Sequence, residues 1–316
     1  MLQLNGERPA WRLPFWLAVA LLSLPILAWA QDSSSAGAGS LSESTPKIQI
    51  AIIIDDLGLR LEQDLRVLAL PGAITNSVLP SAPHTHRIAA LAARLGKEVM
   101  IHLPMESVSY GQLDAGGLTG EMSHDTFKRV VESAVAALPE AVGINNHMGS
   151  LLTADPERMR WLMEIIERQT DLYFVDSRTS VNSVAFYRAR DRGIPSLSRD
   201  LFLDNDLDER KIERQFDALI HVAKRRGKAI AIGHPNRQTI AVLERRLPML
   251  AKLGVELVPV SELLRPKTQK VPLPQYVEPE PEPVRIAKRD VYEEFIMPSG
   301  LLGSPQPLRF FRRDEY

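Results

Sequence analysis

Two carboxylates, Asp55 and Asp56, stand side by side where the apolar run Ile50–Ile54 ends. Like charges in contact repel and raise each other's pKa, so folding by itself gains nothing from the pair. A bound cation or a proton-transfer task would make the arrangement worthwhile. Further along the chain come His102 in MIHLPM, then Asn145, Asn146 and His147 in INNHMGS. Asp176, Ser177 and Arg178 follow in VDSR, Asp204 and Asp206 in LFLDND, and His234 in AIGHPN. One carboxylate with two imidazoles is a hard-to-borderline N,O donor set that leaves positions for water and substrate, and it suits catalytic zinc or a similar divalent ion. The second carboxylate, nearby but unbound, is then available as general base on a metal-polarised water.

Each group also has a bland use. The double Asp can cap the start of a loop or helix by accepting backbone N–H bonds. His102 can be a satisfied buried histidine, NNHMGS a polar turn bent at Gly149, DSR a local ion pair, and GHPN a turn made by Gly233 and Pro235. What favours chemistry is a shared position, because each lies at the end of a β-rich run. The other histidines read as structural or surface groups: His84, His86 and His124 fall at helix starts and His221 inside an amphipathic helix.

The elements that must position these residues alternate. The β-rich runs are IQIAIIID, ITNSVLP, EVMIHLP, AVGINNH, LYFVDSR, IPSLSRDLFLD, AIAIGHP and VELVPVSEL. Between them lie stretches such as PERMRWLMEIIERQT and DERKIERQFDALIHVAKRRG, with apolar residues three and four apart and Pro or Gly closing several of them. Strands alternating with helices imply parallel β-α units, and this number of units predicts an α/β fold: a distorted or incomplete (β/α) barrel of about seven to eight parallel strands. The C-terminal strand ends of such a barrel open onto one face, where reactive groups gather.

The ends of the chain differ from its middle. Met1–Ala30 carries Arg8 and Arg12, an apolar stretch from Leu13 to Leu27, and Ala28-Trp29-Ala30, the parts of a secretory signal peptide. Residues 31–46 are Ser-, Gly- and Ala-rich and read as a flexible linker, and 267–316 begin a Pro- and Glu-rich tail that cannot build a core. The folded domain is expected over 47–266, exported to a bacterial periplasm or equivalent space, with membrane contact only through the signal segment if it is uncleaved. The 316 residues carry a formal net charge of -1, which gives no sign of an electrostatic grip on nucleic acid. There is no cysteine, so any metal must be held by histidine and carboxylate.

In order, IAIIIDDLG, VMIHLPME, GINNHMGSLLT, FVDSRTS and IAIGHPN resemble the motifs of the divergent polysaccharide deacetylase family over about Ile48 to Leu264. The main deacetylases of that superfamily use a distorted (β/α) barrel and remove N- or O-acetyl groups from chitin-like polymers, xylan or peptidoglycan. The resemblance implies a divalent metal, zinc first among candidates, and acetylated polysaccharide or peptidoglycan as partner. It makes Asp55 the catalytic base, Asp56 the aspartate ligand, His102 the first histidine ligand and His234 the late histidine that assists the leaving group. Glu106 stands where the family's H-x-x-x-H motif has its second histidine; His147 is the expected replacement, with Glu106 the alternative carboxylate ligand. HMGS occupies the place of an Arg-Pro-Tyr-Gly motif, so the substrate or oxyanion contacts are sought at Asn146, Asp176 and Arg178.

Two further readings stand beside this one. A non-catalytic envelope protein of the same fold would bind glycan or a partner protein, but the scattered aromatics Tyr110, Trp161, Phe174 and Phe186 offer no evident sugar platform. A metal-dependent hydrolase of a different ester or amide is the other.

Overall fold

The chain is described by a computed structural model over residues 48–108, 113–169 and 171–265. The expected signal segment, linker and tail, and Tyr110, lie outside the described residues.

Among the described residues nine strands, all paired in parallel, form one sheet with the order β6-β5-β4-β3-β2-β1-β8-β7, and β9 adds to β1. They are β1 (Ile48–Leu57), β2 (Thr75–Val78), β3 (Val99–Met105), β4 (Gly143–Met148), β5 (Tyr173–Asp176), β6 (Ser196–Ser198), β7 (Leu201–Phe202), β8 (Lys228–Gly233) and β9 (Val255–Leu257). The two edge strands, β6 and β7, are consecutive in the chain and separated only by Arg199 and Asp200. Three residue steps span at most about 11 Å, whereas eight flat strands would set the edges roughly 34 Å apart. The sheet therefore curls until its edges nearly meet. Across that seam the Arg199 N–H donates to Asp176 and the Asp200 N–H to Ile230, so the chain itself steps from the β5 side to the β8 side.

Strand alternation divides the core in two. Ile50, Ile52 and Ile54 of β1, with Ile101 and Leu103 of β3 and Phe174 of β5, face outward against the helices. Ala51 and Ile53, Met100, Tyr173, Val175, Ile230 and Ile232 face inward and pack together. Fully burying a side chain of this size contributes ~1.5–3 kcal/mol. The barrel is closed below by Val260 and Leu263 of the short helix after β9.

The helices are α1 (Leu61–Ala69), α2 (Thr85–Arg94), α3 (His124–Ala137), α4 (Pro156–Gln169), α5 (Ala185–Asp191), α6 (Glu209–Arg226), α7 (Arg237–Arg246) and α8 (Val260–Leu264). α6 shows why they form. Ile212, Phe216, Leu219, Ile220 and Ala223 recur on one buried face, Asp208 accepts the Lys211 N–H at its start, and Gly227 ends it at φ 80°. Two expected strands are subdivided: IPSLSRDLFLD becomes β6 and β7 around the seam, and VELVPVSEL becomes β9 followed by α8. Pro259 stands between β9 and α8, where its missing N–H makes continuation of the ladder unfavourable and its fixed φ suits a helix entry.

Candidate metal centre

Inward parity continues to the C-terminal strand ends. Asp55 follows Ala51 and Ile53 on β1, His102 follows Met100 on β3, Asn145 and His147 share the inner face of β4, and His234 follows Ile230 and Ile232. β3 and β4 are in register, with His102 beside Asn145 and Pro104 beside His147. A regular strand would send Asp56 to the opposite face from Asp55. Instead the β1 register breaks between Ile54 and Leu57 and Asp56 adopts φ 58°, so both carboxylates reach His102. A left-handed non-glycine residue costs about 1–2 kcal/mol, and such strain collects at functional sites. Gly58 completes the bend at φ 105°: a Cβ there would lie 2.9 Å from the Ala82 Cβ, and its N–H donates to buried Asp64 at 3.0 Å.

Three atoms converge at this mouth. Asp56 Oδ1 lies 3.1 Å from His102 Nε2 and 3.0 Å from His147 Nδ1, and the two nitrogens are 3.0 Å apart. The outer partners decide the histidine tautomer. Asn145 Nδ2 donates to Asp55 Oδ1 at 2.8 Å, so its Oδ1 is the acceptor for both Ser77 Oγ at 2.7 Å and His102 Nδ1 at 2.8 Å. His102 then carries its proton on Nδ1 and turns a bare Nε2 lone pair toward Asp56. Asp56 Oδ1 is accordingly buried without an aligned donor, although two ring nitrogens lie within 3.1 Å. His147 Nδ1 can give a proton to His102 Nε2 at 3.0 Å, which still leaves Asp56 Oδ1 a buried acceptor with no aligned donor, an imbalance that a cation or a proton would satisfy.

With protons in place of an ion, the same three groups stabilise one another as donors and acceptor. Burial pushes the Asp56 carboxyl up, but His102 and His147 hold it far below the ordinary carboxylate range. Burial opposes charging of His102, while Asp55, Asp56 and Asn145 together raise its pKa. One carboxylate oxygen and two imidazole nitrogens fit a divalent ion of the zinc type, and Asp56, His102 and His147 form the one such group among the described residues.

His234 stands at the same mouth with a different role. Its Nδ1 and backbone N–H contact the two oxygens of buried Asp204 at 2.9 and 2.7 Å, and Thr239 Oγ1 donates to Asp204 at 2.7 Å. Burial would keep the ring neutral; the Asp204 bond and charge, reinforced by Asp56 and Asp55, outweigh it and raise the pKa to about 9. Phe202 stacks on the ring with centroids 6.1 Å apart, and the Arg199 guanidinium covers the Phe202 ring at 3.7 Å.

A family model described as divergent polysaccharide deacetylase matches residues 52–264. The chain belongs to that family. It is 42% identical over 229 residues to the uncharacterized protein YibQ of Escherichia coli (strain K12), covering 72% of this chain and 71% of that one. It is 39% identical over 249 residues to an uncharacterized protein of Haemophilus influenzae, covering 75% and 88%. A crystal structure of an uncharacterized protein from Agrobacterium tumefaciens C58 superposes with TM-score 0.67 at 24% identity over 70% of this chain and 90% of that one, which supports the fold.

Within this member of the divergent polysaccharide deacetylase family the expected residues fall into two groups. Asp55, Asp56, His102, His147 and His234 meet at the mouth. Glu106 turns to the following loop, where its Oε2 accepts the Gly120 N–H at 2.7 Å. Asn146 accepts the Ser177 N–H and donates to the Met148 carbonyl. Asp176 accepts from the Arg178 N–H and from Ser183 Oγ. Arg178 is exposed at φ 47°. Sequence alone gives no role to Ser77, Phe202 or Arg199, and none beyond a strand-end position to Asn145 and Asp204. Parity was the available signal for Asn145, since it shares the face of His147. Trp161 serves packing between α3 and α4, edge-on to Phe127 at 5.8 Å and covered by Arg158 at 4.3 Å, and Phe174 is in the core.

Proposed function

We propose that this chain is an exported, metal-dependent deacetylase that removes acetyl groups from an envelope polysaccharide, peptidoglycan or a chitin-like glycan. The reading is carried by the Asp56–His102–His147 convergence, flanked by one further carboxylate and one protonated histidine. A divalent ion held by those three residues, zinc by preference of the donors, would polarise an acetyl carbonyl and acidify the attacking water.

The chain's own residues then have separate tasks. Asn145 holds one Asp55 oxygen, and the base takes the water proton on the other. His234 commits Nδ1 to Asp204 and presents Nε2, protonated below pH about 9, to the amine or alcohol that leaves. Arg178 contacts charge on the glycan or the oxyanion, while Asn146 and Asp176 shape the loop that carries it. Export rests on Met1–Ala30, with 31–46 as linker and 267–316 as tail. Among the described residues no helix is long and apolar enough to cross a membrane.

A non-catalytic envelope protein of the same fold is the second reading, favoured by Glu106 in place of the motif's second histidine. Acetate release from peptidoglycan and from acetylated chito-oligomers, by the purified metal-loaded protein beside Asp55→Asn, separates the two. Acetate from the unsubstituted protein alone supports hydrolysis. Metal-loaded protein that binds these glycans and releases none supports the second reading.

A further inference from the structure

The two histidines of the centre turn opposite nitrogens inward, and their outer nitrogens meet different partners. His102 uses Nε2 and is backed at Nδ1 by the neutral amide of Asn145. His147 uses Nδ1, so its proton belongs on Nε2, an atom shielded from solvent and without an aligned acceptor. Asp114 Oδ2 lies 3.1 Å from that atom. The contact has hydrogen-bond length without hydrogen-bond angle, and the Asp114 side chain is 47% exposed. A carboxylate behind a ligating imidazole fixes its tautomer and raises its basicity.

Asp114 reaches this place on an anchored connection. Met105 and Leu118 pair as an isolated bridge, the Leu118 N–H donates to Pro104 and the Glu106 N–H to Leu118, each at 2.9 Å. Glu106 Oε2 then accepts Gly120 N–H, and Arg158 donates from Nε to the Gly120 carbonyl at 3.1 Å. Just before Leu118 the Gly117 N–H donates to the Asp114 carbonyl, and Gly116 turns at φ 76° against Ser81. The residue that replaces the second histidine of H-x-x-x-H thus closes the base of the loop that brings a carboxylate to the replacement ligand.

We infer that Asp114 is a positioning residue of the metal centre, holding His147 as its Nε2–H tautomer with Nδ1 directed at the ion. The inference rests on reading Asp56, His102 and His147 as a metal site. Its test is competitive titration of the purified protein with Zn²⁺ and Co²⁺, with ring-nitrogen NMR of His147 in the metal-free protein. Asp114→Ala should weaken both ions 10–100-fold and mix the His147 tautomers, and Asp114→Asn, which keeps an acceptor without the charge, should recover part of the loss. The Co²⁺ absorption spectrum should keep its shape in both variants. Unchanged affinity and tautomer in a folded Asp114→Ala protein would overturn the inference, as would an altered Co²⁺ spectrum, which would make Asp114 a ligand instead. Failure of the unsubstituted protein to bind either ion would sink the metal-site reading itself, a result separable from all of these.

Discussion

The barrel has two polar ends, and they are built on opposite rules. At the floor, Tyr173 and Thr75 hydroxyls donate to Glu98 Oε1 at 2.8 and 2.9 Å, and the Ser261 N–H also points to that carboxylate. The Val260 N–H in turn donates to Thr75 Oγ1. Donors there meet acceptors, and burial followed by the neighbouring Glu98 pushes the Tyr173 hydroxyl well above its usual pKa, so it remains a donor. At the mouth, one carboxylate oxygen and two imidazole nitrogens converge, and the buried Asp56 Oδ1 has no aligned donor. The floor is complete as protein and ties the closing helix α8 to the sheet. The mouth leaves the buried Asp56 Oδ1 without a donor, the imbalance that the proposed metal centre would relieve.

The largest effect should come from removing a vertex of the mouth. Asp56→Ala should lose bound divalent metal and all measurable deacetylation while the fold persists, read by metal analysis, acetate assay and circular dichroism. Asp55→Asn should separate the two acids by keeping metal content and lowering turnover by about 10²–10⁴-fold. Wild-type turnover in that variant would remove Asp55 from the role of base. Next comes the proton donor. Because His234 is raised to about 9, its acid form survives through neutral pH, and activity should fall as pH rises through that value. Asp204→Asn removes the charge that raises it, so the alkaline limb of the pH profile should move down; a limb that stays near 9 would assign it to another group. The smallest effect belongs to the floor, where Tyr173→Phe deletes one hydrogen bond and should cost about 1–2 kcal/mol of unfolding free energy in a denaturant titration, with activity per folded molecule unchanged.

Much of this is legible in the sequence itself. Ile50–Ile54 ending in two acids, and the motif-bearing strand ends in sequence order, pointed to a parallel barrel and to five residues that do meet at one mouth. Strand parity separates Asn145 and His147 from Asn146, and it carries Asp176 onto the face of Phe174, where its oxygens serve the β5–α5 loop. What alternation could not show is the break in β1: counted regularly, Asp56 belongs on the helix side, and only a bulge with φ 58° brings it inward. Asp204 stands out in the sequence as a strand-end acid without its partner, and Asp114 does not stand out at all, for another reason. Each acts through a histidine thirty or more positions away, and no periodicity links a loop carboxylate to its ring. The seam at Arg199 and Asp200 was obscured because Ser196–Phe202 reads as one alternating strand, while the curl of the sheet divides it between two neighbours.

The central claim is that the mouth is completed by a divalent ion. The most direct measurement is the metal content of the purified protein, by elemental analysis, beside Asp56→Ala and His147→Ala prepared in the same way. The account predicts about one divalent ion per chain, by the three-ligand logic of catalytic zinc sites, and its loss in both variants. A well-folded protein that holds no divalent ion, even after incubation with zinc, would contradict it.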